Sequence, residues 1–520
     1  MDLQVTELPD LPRLAWLARI DRARPVVHVV CGPSVEYGDT YAVEGCWSDR
    51  FDPTRLVTSQ IVTGTGLVLG EGTVRFVTPS DTTQAIYEFR SQQVAVYSNS
   101  LALLLESAGL DLHAEYPYYD TDLISIFLGL RRYRRQIPTV PGPVHVHYHC
   151  QIETSQDLNA RVVPRPHPPR FPDFSAYAAY LSEQSHGLAI NALDQRRKTR
   201  YRPLATVSSG YDSPCCAVLA RQSGCGDAIT FSTARDGFED RNDSGAEIAR
   251  RLGLTVGEFE PDEYRQSSCS PEIEFIASGY GADDVIYSAA RDVLRDRLLF
   301  TGYHGDRVWS PNRHYATDQI ARGDPSGGSL LEFRLATGFQ NLPLPFAGCL
   351  NHRDIAEVSN AAEMTPWRVG GDYDRPIPRR IVETAGIPRS LFGSQKKAAA
   401  IPYQGTGGTM PPREFLSEAS YASFREFLDM HHLMEALPSQ RHKVLAGFCK
   451  SRVVASYKVG KLLEFNGVDS FEYLKWRYSK HIGEASFLFH WAVARQRASY
   501  RRALKGGPAR LGVGDACERA

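Results

Sequence analysis

The sequence predicts a two-part α/β protein, in which a β-rich N-terminal region precedes a doubly wound parallel sheet with added helices. Short β-branched and aromatic runs broken by Gly, Asp and Asn fill residues 1–163, which is typical of strands. Five prolines in residues 162–174 then interrupt any regular element. After them, short apolar runs alternate with helical patterns, which favours parallel strands connected by helices.

The predicted N-terminal strands lie in the segments VVHVVCG, YAVEGCW, TGLVLGEGTVRFVTP, QAIYEFRSQQVAVYSNS and GPVHVHYHCQIET. In the last of these, His145, His147 and His149 alternate along the chain and would share one face of a continuous strand. Three histidines on a face could bind zinc. We favour the alternative, an ordinary strand.

The C-terminal part is predicted to begin with the helix FSAYAAYLSEQSHGLAINAL. Buried parallel strands are predicted at LATVSS, AITFS and RLLFTG, with helices at CCAVLARQ, SGAEIARRLGL and AARDVLRDR. Residues 418–502 read as mostly helical. We therefore divide the chain into an N-terminal domain at 1–163, a proline-rich linker at 164–174, a C-terminal domain at 175–505 and a disordered tail at 506–520.

Composition excludes several classes of protein. The chain has 520 residues, 42% of them hydrophobic and 23% charged, and its formal net charge is −1. This balance gives no support for general binding to nucleic acid or membrane surfaces. The N-terminus has no signal-peptide pattern, and no run approaches the roughly 18 apolar residues of a membrane span. We expect a cytoplasmic protein whose ten cysteines are reduced.

The segment SSGYDSP, directly after the predicted strand LATV, carries the main functional signal. Ser213 suits a helix N-cap and Pro214 the first helical position. Gly210 allows close approach of the backbone to a ligand, and a helix N-terminus favours a phosphate there. Asp212 beside a phosphate would require a cation such as Mg²⁺. The alternative is a strand-to-helix turn without a ligand.

The same segment, SSGYDS, resembles the SGGxDS pyrophosphate loop of the asparagine synthetase family of ATP pyrophosphatases, with Ser209 where that family usually has glycine. Four further segments resemble later parts of the family in the correct order: AITFSTARDGFEDRNDSGAEIARRLGL, RLLFTGYHGDRVW, FQNLPLPFAGCLNHRDI and DYDRPIPRRIVETAGIPRSLFGSQKKAA. The resemblance implies an adenine nucleotide α-hydrolase-like domain that uses ATP and Mg²⁺.

The N-terminal domain resembles the glutaminase half of the same family, an Ntn-hydrolase-like sandwich, at SQQVAVYSNSLALLLESAGL and LGLRRYRRQIPTVPGPVHVHYH. Working glutaminases of this type use a cysteine that becomes the first residue after Met removal. This sequence begins Met1-Asp2-Leu3, and Cys31 and Cys46 are internal. We therefore expect a degenerate glutaminase-like domain that does not release ammonia.

The resemblance also implies roles for particular residues. Asp212 and Asp306 would bind Mg²⁺, and Lys396, or Lys397 as the alternative, would stabilise charge in the transition state. The ATP-binding residues would be Val207, Ser208, Ser209, Gly210, Tyr211, Asp212, Ser213, Phe231 and Gly302.

Tyr303 stands where β-lactam synthetases, which resemble the same fold, carry a tyrosine paired with a glutamate. A phenol poised by a carboxylate could remove a proton from an attacking amine, and Glu332 is the candidate partner. The alternative is that Tyr303 only lines the pocket.

These features predict an AMP- and pyrophosphate-forming amide-bond synthetase that adenylates a small-molecule or peptide carboxylate and couples it to an amine without hydrolysing glutamine. The product could be a lactam, a macrolactam as in lasso-peptide cyclases, or an intermolecular amide, and a biosynthetic partner protein could take part. Two alternatives stay open: a non-catalytic nucleotide-binding scaffold, favoured by the departures at Ser209, His304 and Arg307, and an ammonia-dependent asparagine synthetase.

Overall fold

The computed structural model describes the chain except for residues 235–241, 268–269, 372, 395–396, 398, 402–403, 406–407, 436–450, 453–454, 456–472, 475, 479, 481 and 506–520. Within the described residues the protein is mixed α/β, with a β-rich N-terminal region and a C-terminal parallel sheet flanked by helices. Both parts of the predicted fold class are thereby confirmed at this level. The predicted tail at 506–520 lies outside the described residues.

The N-terminal region contains fifteen strands and two helices. The strands are β1 (Asp2–Glu7), β2 (Trp16–Asp21), β3 (Val26–Cys31), β4 (Glu36–Gly38), β5 (Tyr41–Trp47), β6 (Val62–Leu69), β7 (Thr73–Val77), β8 (Ile86–Arg90), β9 (Val94–Ser98), β10 (Asp111–Leu112), β11 (Gln136–Ile137), β12 (Thr139–Val140), β13 (Val144–His147), β14 (Cys150–Ser155) and β15 (Ala160–Pro164). The helices are α1 (Leu101–Ala108) and α2 (Tyr119–Ile124).

Two sheets of this region pack face to face. One has the order β1-β3-β2-β9-β8-β13-β11, and the other β15-β14-β7-β6-β5-β4. Trp16 of the first sheet stacks on Phe76 of the second, with ring centroids 6.1 Å apart, and Phe76 stacks on Tyr97 at 3.9 Å. These aromatic contacts lie in one buried core, which is formed by alternate apolar residues of both sheets.

The proline-rich connection begins at the end of β15, since that strand runs to Pro164. The chain then has no helix or strand until α3 begins at Phe174, where the Asp173 side chain caps the helix. The connection is anchored because buried Arg165 donates to the Thr78 carbonyl at 2.6 Å and Phe171 is buried. It is therefore an extended segment packed against both regions.

The C-terminal sheet consists of β16 (Arg202–Thr206), β17 (Asp227–Phe231), β18 (Thr255–Phe259), β19 (Arg297–Thr301) and β20 (Gln340–Pro343). All four pairings are parallel, in the order β18-β17-β16-β19-β20. The strand order reverses between β16 and β19, because β17 and β18 are added on one side and β19 and β20 on the other. Ligands of such sheets bind at the carboxyl ends of the strands at this switch point. A separate hairpin pairs β21 (Gln404–Gly405) with β22 (Gly408–Thr409).

The helices of this region are α3 (Phe174–Leu193), α4 (Asp212–Gln222), α5 (Ala246–Arg251), α6 (Glu272–Ile276), α7 (Arg291–Leu294), α8 (Gly305–Val308), α9 (Leu331–Thr337), α10 (His352–Asn360), α11 (Pro376–Thr384), α12 (Pro412–Phe415), α13 (Glu418–Met430) and α14 (Leu488–Lys505). The predicted helix AARDVLRDR is shorter than expected, because a 3-10 turn, Val285–Ala290, precedes α7. Helices α13 and α14 lie at the two ends of the region predicted as mostly helical, and much of the chain between them is outside the described residues.

Among the described residues, no helix combines the length and apolar character that a bilayer crossing requires.

The three histidines considered for a zinc site do not all lie on one strand. His145 and His147 lie on β13, but His149 follows that strand with a positive φ of 50°. His147 instead contacts the Glu88 carboxylate at 2.7 Å, which agrees with the interpretation as an ordinary strand.

Candidate functional site

The candidate site begins at the carboxyl end of β16, where residues 207–211 lead into α4. The Ser213 hydroxyl accepts a hydrogen bond from the Ser208 backbone N–H at 3.0 Å and lies 2.8 Å from the Ser208 hydroxyl. Our assignment of Ser213 as the N-cap is wrong, because its side chain faces Ser208 and α4 already begins at Asp212. The loop is folded tightly onto the first turn of a helix whose N–H groups favour an anion.

Ser209 is held from two sides. Its hydroxyl donates to the Asp243 carboxylate at 2.7 Å, and its backbone N–H donates to the Asp243 carbonyl at 3.1 Å. Its own carbonyl accepts from the Gly393 N–H at 2.8 Å. Gly393 has a φ of 68°, and a Cβ there would lie 2.3 Å from the Tyr211 ring. The loop is therefore fixed by the segments before α5 and after α11.

The loop after β19 meets the first turn of α4 directly. A Cβ on Gly302 would lie 2.7 Å from the Ser213 nitrogen, and one on Gly305 would lie 2.6 Å from the Asp212 carboxyl carbon. Glycine is therefore required at both positions for this approach. The contact brings Asp212 and the neighbour of Gly305, Asp306, to the same edge of the sheet.

The two loops enclose a cavity of about 230 Å³. The predicted site residues on its wall are Val207, Ser208, Gly210, Tyr211, Asp212, Ser213, Phe231, Gly302, Tyr303 and Asp306. Ser209 is not on the wall, and it holds the loop through its hydrogen bonds with Asp243 and Gly393. The described residues contain no group of three or more His, Cys, Asp or Glu side chains that could hold a metal ion. The Asp212 and Asp306 carboxylates, both on the wall, nevertheless fit Mg²⁺, because this ion needs only one or two protein carboxylates and takes its remaining ligands from water or from a ligand.

One side of the cavity is apolar. Val207, Ile229 and Phe231 lie on it, and the Phe231 ring meets the Tyr287 ring edge-on with centroids 5.2 Å apart. An apolar and aromatic surface beside a polar loop suits a ligand with a flat base and a charged tail.

Tyr303 lies opposite the loop. Its hydroxyl is buried beside the Asp284 carboxylate and the Tyr287 hydroxyl, which influence its ionisation although neither meets it with the full geometry of a hydrogen bond. Burial, followed by the negative charge of Asp284, raises the pKa of this phenol well above its usual value. Burial also raises the pKa of Asp284, although Asp284 accepts hydrogen bonds from Gly327 and Ser329. The carboxylate beside Tyr303 is thus Asp284.

The expectation that Glu332 partners Tyr303 is wrong. One oxygen of Glu332 accepts from the Ser100 hydroxyl at 2.6 Å, and the other accepts from the Tyr500 hydroxyl at 2.7 Å. Glu332 is 1% exposed and is absent from the cavity wall. Helix α9 directs this side chain toward α1 and α14, where it connects three parts of the chain.

His304 occupies a position where the resembling family often has glycine. Its φ of 73° lies in the left-handed region that favours glycine. The ring is buried and packs against Phe346 with centroids 4.7 Å apart. Burial lowers the pKa of His304 well below its ordinary value, so the imidazole on the cavity wall is neutral at physiological pH.

Of the two lysines predicted for transition-state stabilisation, Lys396 lies outside the described residues. Lys397 lines the cavity, and its ammonium donates to the Asn242 carbonyl at 2.8 Å. A cation at the open side of the cavity suits a negatively charged ligand.

Sequence reasoning missed several polar residues of the wall, namely Asp243, Asp284, Tyr287, Asp324, Ser326 and Tyr373. Asp243 precedes a predicted helix in the segment NDSG, where an Asp is common, so this position carried a weak signal. Asp284 is brought to the site by tertiary packing, and nothing in its local pattern predicts that location.

No protein-family model matches this chain. No curated protein matches it either.

Proposed function

We propose that this protein is an ATP-dependent amide-bond synthetase of the asparagine synthetase type, with an adenine nucleotide α-hydrolase-like C-terminal region and a degenerate, Ntn-hydrolase-like glutaminase region before it. One observation carries the proposal. Asp212 and Asp306 follow neighbouring strands at the switch point of a parallel sheet, and both line one cavity at the start of α4. This arrangement favours a nucleotide with its phosphates on the helix N-terminus.

The residues present fit ATP and Mg²⁺. The Ser208 and Ser213 hydroxyls and the N–H groups in the first turn of α4 would face phosphate oxygens. Phe231 and Val207 offer an apolar surface to the adenine. Asp212 and Asp306 would hold Mg²⁺, which when bound neutralises charge on the phosphates.

The reaction has two steps. A substrate carboxylate oxygen forms a bond to the α-phosphorus of ATP, and the bond to pyrophosphate breaks. An amine nitrogen then bonds to the acyl carbon, AMP leaves, and the amine loses a proton. The Asp284 carboxylate is the wall group suited to receive that proton, either directly or through the Tyr303 hydroxyl beside it, which would pass its own proton to Asp284 as it takes the proton of the amine, because burial raises the pKa of Asp284.

The test is thermal unfolding of the full chain with ATP, with Mg²⁺ and with both, in the wild type and in Asp212→Ala. A ligand at about 100 times its dissociation constant stabilises a protein by roughly 2.7 kcal/mol, which raises its Tm measurably. We expect a shift that needs Mg²⁺ and disappears in Asp212→Ala. Asp157→Ala, an exposed carboxylate in a turn of the N-terminal region, is the matched control and should keep the shift.

Pyrophosphate exchange then separates this enzyme from the two alternatives. A carboxylate that promotes exchange between pyrophosphate and ATP supports the synthetase, whereas binding of MgATP without exchange across a carboxylate panel supports a scaffold. Aspartate as the active carboxylate, with ammonia as the amine, would instead support an asparagine synthetase. Absence of any MgATP shift in the wild type would contradict the proposal.

A further inference from the structure

A strongly basic loop lies on the surface between the 3-10 turn Ser125–Leu128 and β11. Residues 129–135, here called the arginine loop, read Gly-Leu-Arg-Arg-Tyr-Arg-Arg, and all four arginines are exposed. The chain as a whole is close to neutral. The loop therefore carries a local concentration of positive charge that the overall composition does not reveal.

The backbone of the arginine loop is held in place. The Leu130 N–H donates to the Gln319 carbonyl at 2.8 Å, and the Arg134 N–H donates to the Ser125 hydroxyl at 2.8 Å. At its end, the Arg135 carbonyl accepts from the Val146 N–H at 2.9 Å. Because the backbone is fixed, the guanidinium groups start from defined positions, and a ligand orders only side chains.

Two guanidinium groups of the arginine loop, those of Arg134 and Arg135, stack on aromatic rings. Arg134 lies over the Tyr473 ring, 5.3 Å from its centroid, and Arg135 lies over the Tyr133 ring at 5.2 Å. Within the described residues, Arg131, Arg134 and Arg135 form no ion pair with a carboxylate. The Arg135 guanidinium also donates one N–H to the Leu130 carbonyl at 3.4 Å, and its other N–H groups could meet a carboxylate of a ligand, as could those of Arg134, because stacking uses only the face of the guanidinium.

The arginine loop is attached to the segment that forms one wall of the cavity. Gln319 binds the loop, and Arg322 donates its N–H to the Phe127 carbonyl at 2.9 Å and stacks on the Phe127 ring. A few residues further along, Asp324 and Ser326 line the cavity itself. A ligand bound on the arginine loop is thus positioned beside the candidate site.

We propose that the arginine loop binds an acidic segment of a peptide. The arginines lie within five residues of a chain whose formal net charge is −1, so this local positive charge suits a short run of carboxylates rather than a long phosphate backbone. The peptide then presents a carboxylate of its own to the cavity, a step that rests on the proposed function and that raises the local substrate concentration.

The test measures fluorescence anisotropy of a short labelled aspartate-rich peptide titrated with the full chain at low salt. The double variant Arg131→Gln/Arg135→Gln removes two of the exposed charges. Arg22→Gln/Arg24→Gln, in the exposed β2–β3 hairpin of the same sheet, makes the same charge change four strands away from β11. We expect the first variant to weaken binding about fivefold or more and the second to leave it unchanged, with affinity falling as salt rises.

Equal affinity in the two variants, no binding of the aspartate-rich peptide by the wild type, or equal binding of its asparagine counterpart would each overturn the proposal. Tighter binding of duplex RNA or DNA of the same charge through the same arginines would overturn it in favour of a nucleic acid. The MgATP-dependent rise in Tm separates the two proposals. A wild type that shows this rise but does not bind the peptide loses only the docking surface, whereas peptide binding without the rise supports the docking surface and contradicts the proposed function.

Discussion

The Ser209 hydroxyl donates to the Asp243 carboxylate at 2.7 Å, and the Ser209 N–H donates to the Asp243 carbonyl at 3.1 Å. The resembling family usually has glycine at the position of Ser209. The structure gives the additional hydroxyl a specific partner, the Asp243 carboxylate of the cavity wall, while Ser209 itself stays off the wall. This substitution therefore leaves the cavity side of the loop open, and it adds a hydrogen bond between segments that follow β16 and β17.

We expect Ser209→Gly to lower the free energy of unfolding by about 1–3 kcal/mol, because it removes a hydrogen bond to a charged group and adds backbone freedom. Urea unfolding measures this difference. Ser244→Ala is the comparison, because its hydroxyl donates to the exposed Glu258 carboxylate at 3.1 Å and accepts from the Ala246 N–H at 3.2 Å, and it should cost about 1 kcal/mol or less. Equal effects of the two substitutions would show that the Ser209–Asp243 contact does not hold the loop.

Tyr303→Phe should cost less than about 1 kcal/mol of stability, since the buried hydroxyl that it removes lies beside Asp284 and Tyr287 but makes no hydrogen bond of full geometry among the described residues. Tyr500→Phe provides the comparison, because the Tyr500 hydroxyl donates to Glu332 at 2.7 Å and its loss should cost about 1–3 kcal/mol. Denaturant midpoints of the two variants give the answer. A destabilisation of Tyr303→Phe as large as that of Tyr500→Phe would mean that the Tyr303 hydroxyl has a structural partner.

The sequence predicted those parts of the fold that local patterns determine. The segments LATVSS and AITFS overlap β16 and β17, which begin two residues and one residue earlier, RLLFTG contains β19, and SSGYDSP runs into the start of α4. Because parallel strands place their carboxyl ends at one edge, the ordered motifs were enough to bring Asp212 and Asp306 to one cavity.

The remaining site residues depend on tertiary packing. Asp284 reaches Tyr303 from a turn that no periodic pattern marks, whereas Glu332, the partner expected from the sequence, turns toward Ser100 and Tyr500. The direction of a side chain on a short helix depends on which face its neighbours bury. The Glu332 side chain points toward the interface with the N-terminal region, where it accepts a hydrogen bond from Ser100. A comparison of motifs does not describe that interface.

Glu332 should make stability depend on pH. Burial raises its pKa to about 7, despite hydrogen bonds from Ser100 and Tyr500 that act in the opposite direction. In the unfolded chain the carboxyl ionises near pH 4.5. Between these values the folded protein retains a proton that the unfolded chain has lost, so this contribution to stability is full below pH 4.5 and is lost as the pH rises to 7.

Replacement by glutamine tests this dependence. We expect Glu332→Gln to gain up to about 3 kcal/mol relative to the wild type between pH 4.5 and 7.5, because the neutral amide cannot ionise. Urea unfolding across this pH range measures the difference, and Glu115→Gln, at an exposed site, should follow the wild type. Parallel curves for wild type and Glu332→Gln would show that Glu332 ionises as freely in the folded protein as in the unfolded chain.

The interface between the two regions contains a buried ion pair whose removal should be costly. Arg334 donates to both oxygens of Glu44, at 2.6 and 2.9 Å, and the two side chains are 1% and 0% exposed. Asn99 and Thr65 also donate to Glu44, so its charge is balanced within the N-terminal region as well as across the interface. Arg334→Met leaves the Glu44 carboxylate buried without its cation.

We expect Arg334→Met to lower the free energy of unfolding by about 3–5 kcal/mol, and Arg334→Met combined with Glu44→Gln to recover part of that loss, because the double variant has no unpaired buried charge. Calorimetry of the wild type should show one cooperative transition, since this pair and the Ser100–Glu332 hydrogen bond couple the two regions. Arg313→Met, whose exposed ion pair with Glu357 has the same chemistry, should cost less than 1 kcal/mol. If the double variant is as unstable as Arg334→Met, the loss comes from packing around Arg334 and not from the charge left on Glu44.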